Sequence, residues 1–178
     1  MSSWIMTFTG KRFRPFDPDP AEIDIRDIAH ALSHTCRYGG HTRRFYSVAE
    51  HCVLLSRIVP ADMAFDALMH DAAEAYLGDI PRPIKKAREM NAWRDAEWIV
   101  ERAIATRFGV RLPMSPALAD YDSRMIVDEW PQLMPDPEGD DIGVSGAPLG
   151  IRVECWPPYL ARRRFLEAFC QLSEGRAQ

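Results

Sequence analysis

His70-Asp71-Ala72-Ala73-Glu74, followed by Leu77-Gly78-Asp79-Ile80-Pro81, is the stretch on which the reading of this chain turns. It ends a segment, Ala61 to Leu77, that is hydrophobic on most sides and so reads as a central helix. At about 3.6 residues per turn, His70, Asp71 and Glu74 share one face of such a helix. A histidine beside an aspartate offers a neutral nitrogen and a carboxylate oxygen, both good ligands for a divalent metal. A glutamate one turn later reaches a water on that metal more easily than the metal itself. The layout is that of metal-assisted hydrolysis, and other parts of the chain must supply the missing ligands.

On the N-terminal side, residues up to about 23 are irregular, with Pro15, Pro18 and Pro20 and the turn formers Asp17 and Asp19. Thr7 to Phe13 reads as a short strand. Asp24 caps a helix with Ile25, Ile28 and Leu32 at helical spacing, which fails at Tyr38-Gly39-Gly40. Ser47-Val48-Ala49-Glu50 has capping-box spacing and opens a helix that carries His51 and runs to about Val59. On the C-terminal side, Gly78 stops the central helix, and Pro81 and Pro83 stiffen its exit. Asn91 to Phe108 is a long amphipathic helix closed by Gly109. Ser115-Pro116 starts another, running to about Leu133. Residues 134 to 157, rich in Pro, Gly and Asp, read as a long loop with a short strand at Ile151 to Glu154. A last helix spans Pro158 to about Leu172. The expectation is one all-α domain over residues 1–178. Its core is about 21–133, and a small β-ribbon pairs the N-terminal strand with Ile151 to Glu154.

The chain has 178 residues, enough for one substantial core, and a net charge of -4, which argues against coating a nucleic-acid polymer. No apolar run is long enough to span a bilayer, and the N-terminus, with Lys11, Arg12 and Arg14, does not read as a secretory signal. None of Cys36, Cys52, Cys155 and Cys170 sits in a C-x-x-C pair, so a zinc ribbon is excluded and free thiols in the cytoplasm are expected. Cys52 follows His51 and reads as a small core residue, with a place near a metal as the alternative. Trp93, Trp98, Trp130 and Trp156 either fill the core or line the interface of a homo-oligomer.

A catalytic metal usually takes three or four protein ligands and leaves room for water. His70 and Asp71 provide two, and His51, on a helix that must pack beside the central one, is the best third. The fourth lies in the helix opened by Ser115-Pro116. Asp120 and Asp122 both qualify on spacing, and Asp128 and Glu129 follow.

These motifs resemble the HD-domain superfamily of metal-dependent phosphohydrolases. The likeness is to its small bacterial and phage branch of 5'-deoxynucleotidases and compact deoxynucleoside triphosphohydrolases. It is carried by Phe45-Tyr46-Ser47-Val48-Ala49-Glu50-His51, by Ala67 through Lys85 around the doublet, by the run Asp122-x-Arg124-x-x-x-x-Glu129 and by Asp27 to Ser33. It covers most of residues 21 to 133 and is loose beyond. The resemblance implies a helical bundle around a divalent ion (Zn, Mn, Co or Mg), with His51, His70, Asp71 and Asp122 as ligands. It therefore favours Asp122 over Asp120. It implies a nucleotide substrate, cleaved as a monophosphate or at the α-phosphorus of a triphosphate. Hydrolysis of an alarmone or cyclic nucleotide, or a metal-stabilised nucleotide-binding module without turnover, are the alternatives.

On this reading Glu74 orients or deprotonates the attacking water. Asp79 protonates the leaving oxygen or holds Glu74. Arg82, Lys85, Lys86 and Arg88 form the densest basic cluster nearby, with Lys85 the first choice for a phosphate contact and Arg82 beside it. Arg37-Tyr38 resembles an Arg-aromatic pair that contacts substrate in the deoxynucleotidases, where the aromatic is usually tryptophan. Arg37 is then a phosphate clamp, and Tyr38 stacks on the base or sits against the 2'-deoxy position. His41 is a candidate for a supporting role, and His30 and His34 read as packing or surface residues.

Overall fold

The computed structural model describes residues 3–135 and 146–176. The middle of the expected 134–157 loop, residues 136–145, lies outside the described residues. The chain forms an all-α bundle with one two-stranded antiparallel ribbon. Among the described residues no helix is long and apolar enough to cross a membrane.

The ribbon corrects an expectation. Its strands are β1, Ile5–Met6, and β2, Arg12–Phe13, joined locally. The Thr7 N–H donates to the Lys11 carbonyl, and Gly10 turns the chain at φ +82°. Residues 151–154 form no strand and do not pair with the N-terminus.

The helix starts lie where the caps placed them. Asp24 caps α1, Ile25–His34, by accepting from the Arg26 N–H. Ser47 caps α2, Val48–Ile58, by accepting from the Glu50 N–H. The segment expected to be one central helix is broken: α3 is Ala64–Met69, and α4 is only Glu74–Leu77. Between them the backbone tightens into i→i−3 bonds, with Ala72 N–H on Met69 O and Glu74 N–H on Asp71 O, both at 3.0 Å. The His70 ring supplies the reason. Its Nδ1 lies 2.8 Å from the Ala67 carbonyl, the acceptor a continuing α-helix would offer the Asp71 N–H.

A short helix not foreseen, α5 at Arg82–Lys85, follows Gly78, whose φ of +79° and ψ of 158° suit a residue without Cβ. Then come α6, Asn91–Phe108, α7, Pro116–Leu133, and α8, Pro158–Glu174. All of α3 and nine residues of α2, Val48 to Ser56, are buried. These two helices pack on each other at the centre, with α8 against both, α1 alongside α2, and α7 closing over α2. Ile28, Leu55, Leu68, Met125 and Phe165 join in one apolar core. Trp156 is buried in it, whereas Trp98 is exposed.

The extended stretch before α8 is held by side chains rather than by a strand partner. Asp128 accepts from the N–H groups of Leu149, Gly150 and Ile151. Glu50 accepts from those of Glu154, Cys155 and Trp156, at 2.9, 2.9 and 2.6 Å. Gln132 spans the two, accepting from Val153 N–H and donating to the Ile151 carbonyl. So Glu50 does not close the capping box its spacing suggested; its carboxylate is the clasp of a segment a hundred residues away.

Candidate metal centre

Three helices bring the histidines and aspartates together. α2 carries His51, the tight turn after α3 carries His70 and Asp71, and α7 carries Asp122. His51, His70 and Asp71 each bring a ligand atom within 4.8 Å of the others. Asp122 Oδ1 lies 3.1 Å from His51 Nε2 and 3.6 Å from His70 Nε2. Asp71 Oδ2 lies 3.1 Å from His70 Nε2 and 3.8 Å from His51 Nε2. Asp120, the rival on spacing, faces outward and pairs with Arg124 at 3.5 Å.

Both imidazoles have their outer nitrogen occupied. His51 Nδ1 is 2.7 Å from Glu129 Oε1, and His70 Nδ1 is 2.8 Å from the Ala67 carbonyl. Each partner is an acceptor, so each Nδ1 carries the proton and each Nε2 turns a lone pair toward the aspartates. His70 Nε2 is buried and makes no hydrogen bond. An unpaired buried nitrogen between two carboxylates is expensive unless a cation or proton sits there.

The electrostatics agree. Burial and Arg37 push His51 down, but Glu129 and Asp122 outweigh them and hold it above its ordinary value. Burial also lowers His70, and Asp71 reverses this strongly. Burial would raise Asp71, yet His70 and His51 hold it at about 2. Asp122 is held well below the usual range against its burial by the same two histidines. Four groups that together favour positive charge in their midst, two nitrogens and two carboxylates, suit a divalent ion such as zinc, manganese or cobalt.

Glu74 is buried, with Oε2 lacking a partner. Burial, Asp71 and Asp79 push its carboxyl well above the ordinary range. Asp79, raised by burial, is half-buried and close enough to add to the rise of Glu74. Arg37 Nη1 is 3.4 Å from Asp71 Oδ2, and Arg82 Nη2 is 3.6 Å from Asp122 Oδ2. Two cations thus border the cluster. Lys85, expected to contact phosphate, pairs with Glu97 at 2.5 Å, with Trp93 against its ammonium. Tyr38 turns its hydroxyl inward, donating to Glu129 Oε2 at 2.6 Å, while its ring meets Trp130 edge-on. Its backbone sits at φ +56°, a conformation uncommon for a non-glycine residue, in a turn whose ends are pinned where Arg37 N–H meets Tyr46 O.

Glu129, noted in the sequence only as the end of a run, proves to be the hub behind the metal face. It is fully buried, and its two oxygens serve His51 Nδ1, the hydroxyls of Tyr46 and Tyr38, and Arg37 Nε at 3.6 Å. Its seven-residue spacing from Asp122, two turns on one helix face, is the signal that points to it. Cys52 is buried with Sγ 3.9 Å from His70 Nδ1, on the side away from the aspartates, and burial lifts its thiol to about 11. His41 is exposed, and His30 and His34 pack against each other and Phe8 away from the cluster.

Comparison with known proteins places the chain among relatives of the same length. It is 39% identical over 176 residues to the uncharacterized protein YfdR of Escherichia coli K12, covering 98% of both chains. The chain belongs to the YfdR family. A second relative, the uncharacterized protein RCAP_rcc00048 of Rhodobacter capsulatus, is 29% identical over 181 residues, 92% of each chain. No family model matches. Neither relative's name states an activity, so the chemistry of this YfdR-family chain must be argued from its site. A buried His/His/Asp cluster in a compact helical fold is consistent with a metal-dependent hydrolytic enzyme.

Proposed function

We propose that this protein is an HD-type, metal-dependent phosphohydrolase of nucleotides, acting on deoxynucleoside mono- or triphosphates. The observation that carries the reading is the convergence of two imidazole Nε2 atoms on Asp71 and Asp122, with both tautomers set from behind. His51, His70, Asp71 and Asp122 would hold the ion. A divalent ion there lowers the pKa of water and polarises a phosphoryl oxygen.

The chain's own residues supply the rest. Glu74, buried with an oxygen that has no partner, would take a proton from the attacking water and pass it on. Asp79, near enough to influence the Glu74 carboxyl, would give a proton to the leaving oxygen. Arg37, from within, and Arg82, at the exposed rim, lie against the ligand aspartates and would offer an incoming phosphate two guanidinium groups. Glu129 keeps Arg37 and His51 in register through one carboxylate.

The test is direct. Purified protein given Mn2+, Co2+ or Zn2+ is assayed against the mono- and triphosphates of each nucleoside. Free phosphate from monophosphates identifies a nucleotidase, and tripolyphosphate identifies a triphosphohydrolase. A metal-loaded protein that turns over no phosphate ester overturns the proposal.

A further inference from the structure

A cavity of about 230 Å³ adjoins the metal centre and takes no part in the steps above. We propose that it is the subsite for the ring of the substrate's nucleoside part, a planar heteroaromatic system bearing ring nitrogens and N–H donors. This rests on the phosphohydrolase reading and extends it to what lies beyond the phosphate.

His70 belongs to both sites: its Nε2 faces Asp71 and Asp122, and the residue also lines the cavity. A ligand seated in the cavity therefore lies against the same histidine that faces the two aspartates. Leu118, which lines it, stands one turn before Asp122 on α7, about 6 Å along the axis. The walls suit a flat ring. Met63, Met69 and Met114 supply three flexible, polarisable thioethers, which conform to aromatic faces. The size is that of part of a ligand, since sites for whole drug-sized molecules run from about 300 to 1,000 Å³. The phosphate end then stays outside, where Arg37 and Arg82 lie.

The polar equipment is sparse and specific. Arg111, at the rim, is committed to Asp66 at 2.6 Å. Glu101 is half-buried on the wall and forms no ion pair among the described residues. Burial and the neighbouring Glu97 lift it to about 7. Such a carboxyl accepts from a ring N–H or amino group and, when protonated, also donates to a ring nitrogen. One orienting group on an apolar wall is how small-molecule sites combine affinity with choice of ligand. Glu101 also differs from Glu97 one turn earlier, which is tied to Lys85 and so is not available.

The experiment separates this subsite from the catalytic reading by using a probe without phosphate. Each of the four deoxynucleosides is titrated into wild type, Met114→Trp, which crowds the cavity mouth, and Glu101→Ala, with calorimetric detection. Wild type is expected to bind at least one nucleoside, and both variants to bind it ten-fold or more weakly while keeping the wild-type melting temperature. Met114 is partly exposed, so this substitution does not disturb the core. Absence of binding in wild type, or equal affinity in Met114→Trp, overturns the proposal. Nucleotide hydrolysis with nucleoside binding insensitive to both substitutions removes the subsite and leaves the phosphohydrolase. Nucleoside binding lost in both variants, with no phosphate ester turned over, removes the phosphohydrolase and leaves the binding site.

Discussion

Two sets of buried polar groups, each built partly on α2 and α7, do opposite work. On α2, Glu50 and His51 are neighbours; on α7, Asp128 and Glu129 are neighbours. Adjacent residues on a helix point about 100° apart, so one of each pair turns to the clasp and the other to the metal face. At the clasp, Glu50 and Asp128 each take three backbone N–H groups. At the metal face, His70 Nε2 and Glu74 Oε2 are buried with no partner. Satisfied acids hold the fold together, and unsatisfied ones mark where something else must bind. The clasp makes the second arrangement affordable, because it fixes α2 and α7 against the segment between α7 and α8.

The sharpest way to break the contrast is at Asp71. Asp71→Ala removes a ligand atom and the partner of Arg37, and is expected to abolish both metal binding, read by calorimetry, and any hydrolysis, while the protein still melts cooperatively. Next in size is Glu74→Gln, which keeps the metal and lowers the rate by about 10²–10⁴-fold. Normal turnover in this variant would show that Glu74 handles no proton. On the other side of the comparison, Glu50→Ala should leave the metal ligands in place but strand three backbone donors. The cost is about 3 kcal/mol, or a fall in melting temperature of roughly 6–12 °C for a chain of this size. If Glu50→Ala melts like wild type, the clasp is not holding the fold.

Which parts of this division were legible beforehand follows from the range of the interactions. Helix starts depend on a side chain and an N–H two or three residues away, so Asp24, Ser47 and Ser115 announced them correctly. The cluster was legible as residue types at helical spacing, although the continuous helix drawn through it was wrong, because the His70 ring engages the Ala67 carbonyl. What was not legible depends on distant partners. Glu50 fitted a capping box, yet its partners lie more than a hundred positions on. Lys85 stood in a basic run, yet Glu97 holds it from the next long helix. Thr7 to Phe13 had the composition of a strand, but the closing of a hairpin on itself rather than on Ile151 to Glu154 depended on Gly10 and on the two clasping carboxylates. Glu129 is the extreme case, since its partners at 37, 38, 46 and 51 come from the other end of the core.

Glu129 also allows the finest test, because it stands between the two classes: buried and fully partnered like the clasp, yet touching a metal-face histidine. Glu129→Gln keeps the shape and loses the charge that fixes the His51 tautomer. Changes at such supporting groups typically cost about 10–100-fold in metal affinity. The metal-free protein provides a second readout. Against the effect of burial, Arg37, His51 and Tyr38 hold the Glu129 carboxyl at about 2, compared with 4.5 when unfolded. Between those values the unfolded chain binds the proton and the folded one does not, so stability rises with pH there. This contribution, about 3 kcal/mol, is present above pH 4.5 and is lost as the pH falls toward 2. Urea midpoints of the metal-free protein across that window should fall steeply in wild type and less steeply in Glu129→Gln. The remaining slope reflects Asp71, also held at about 2, together with Asp122 and Asp24, both held below the usual carboxylate range. An unchanged slope would mean that Glu129 is already protonated in the fold, and that the His51 proton is directed by something other than its charge.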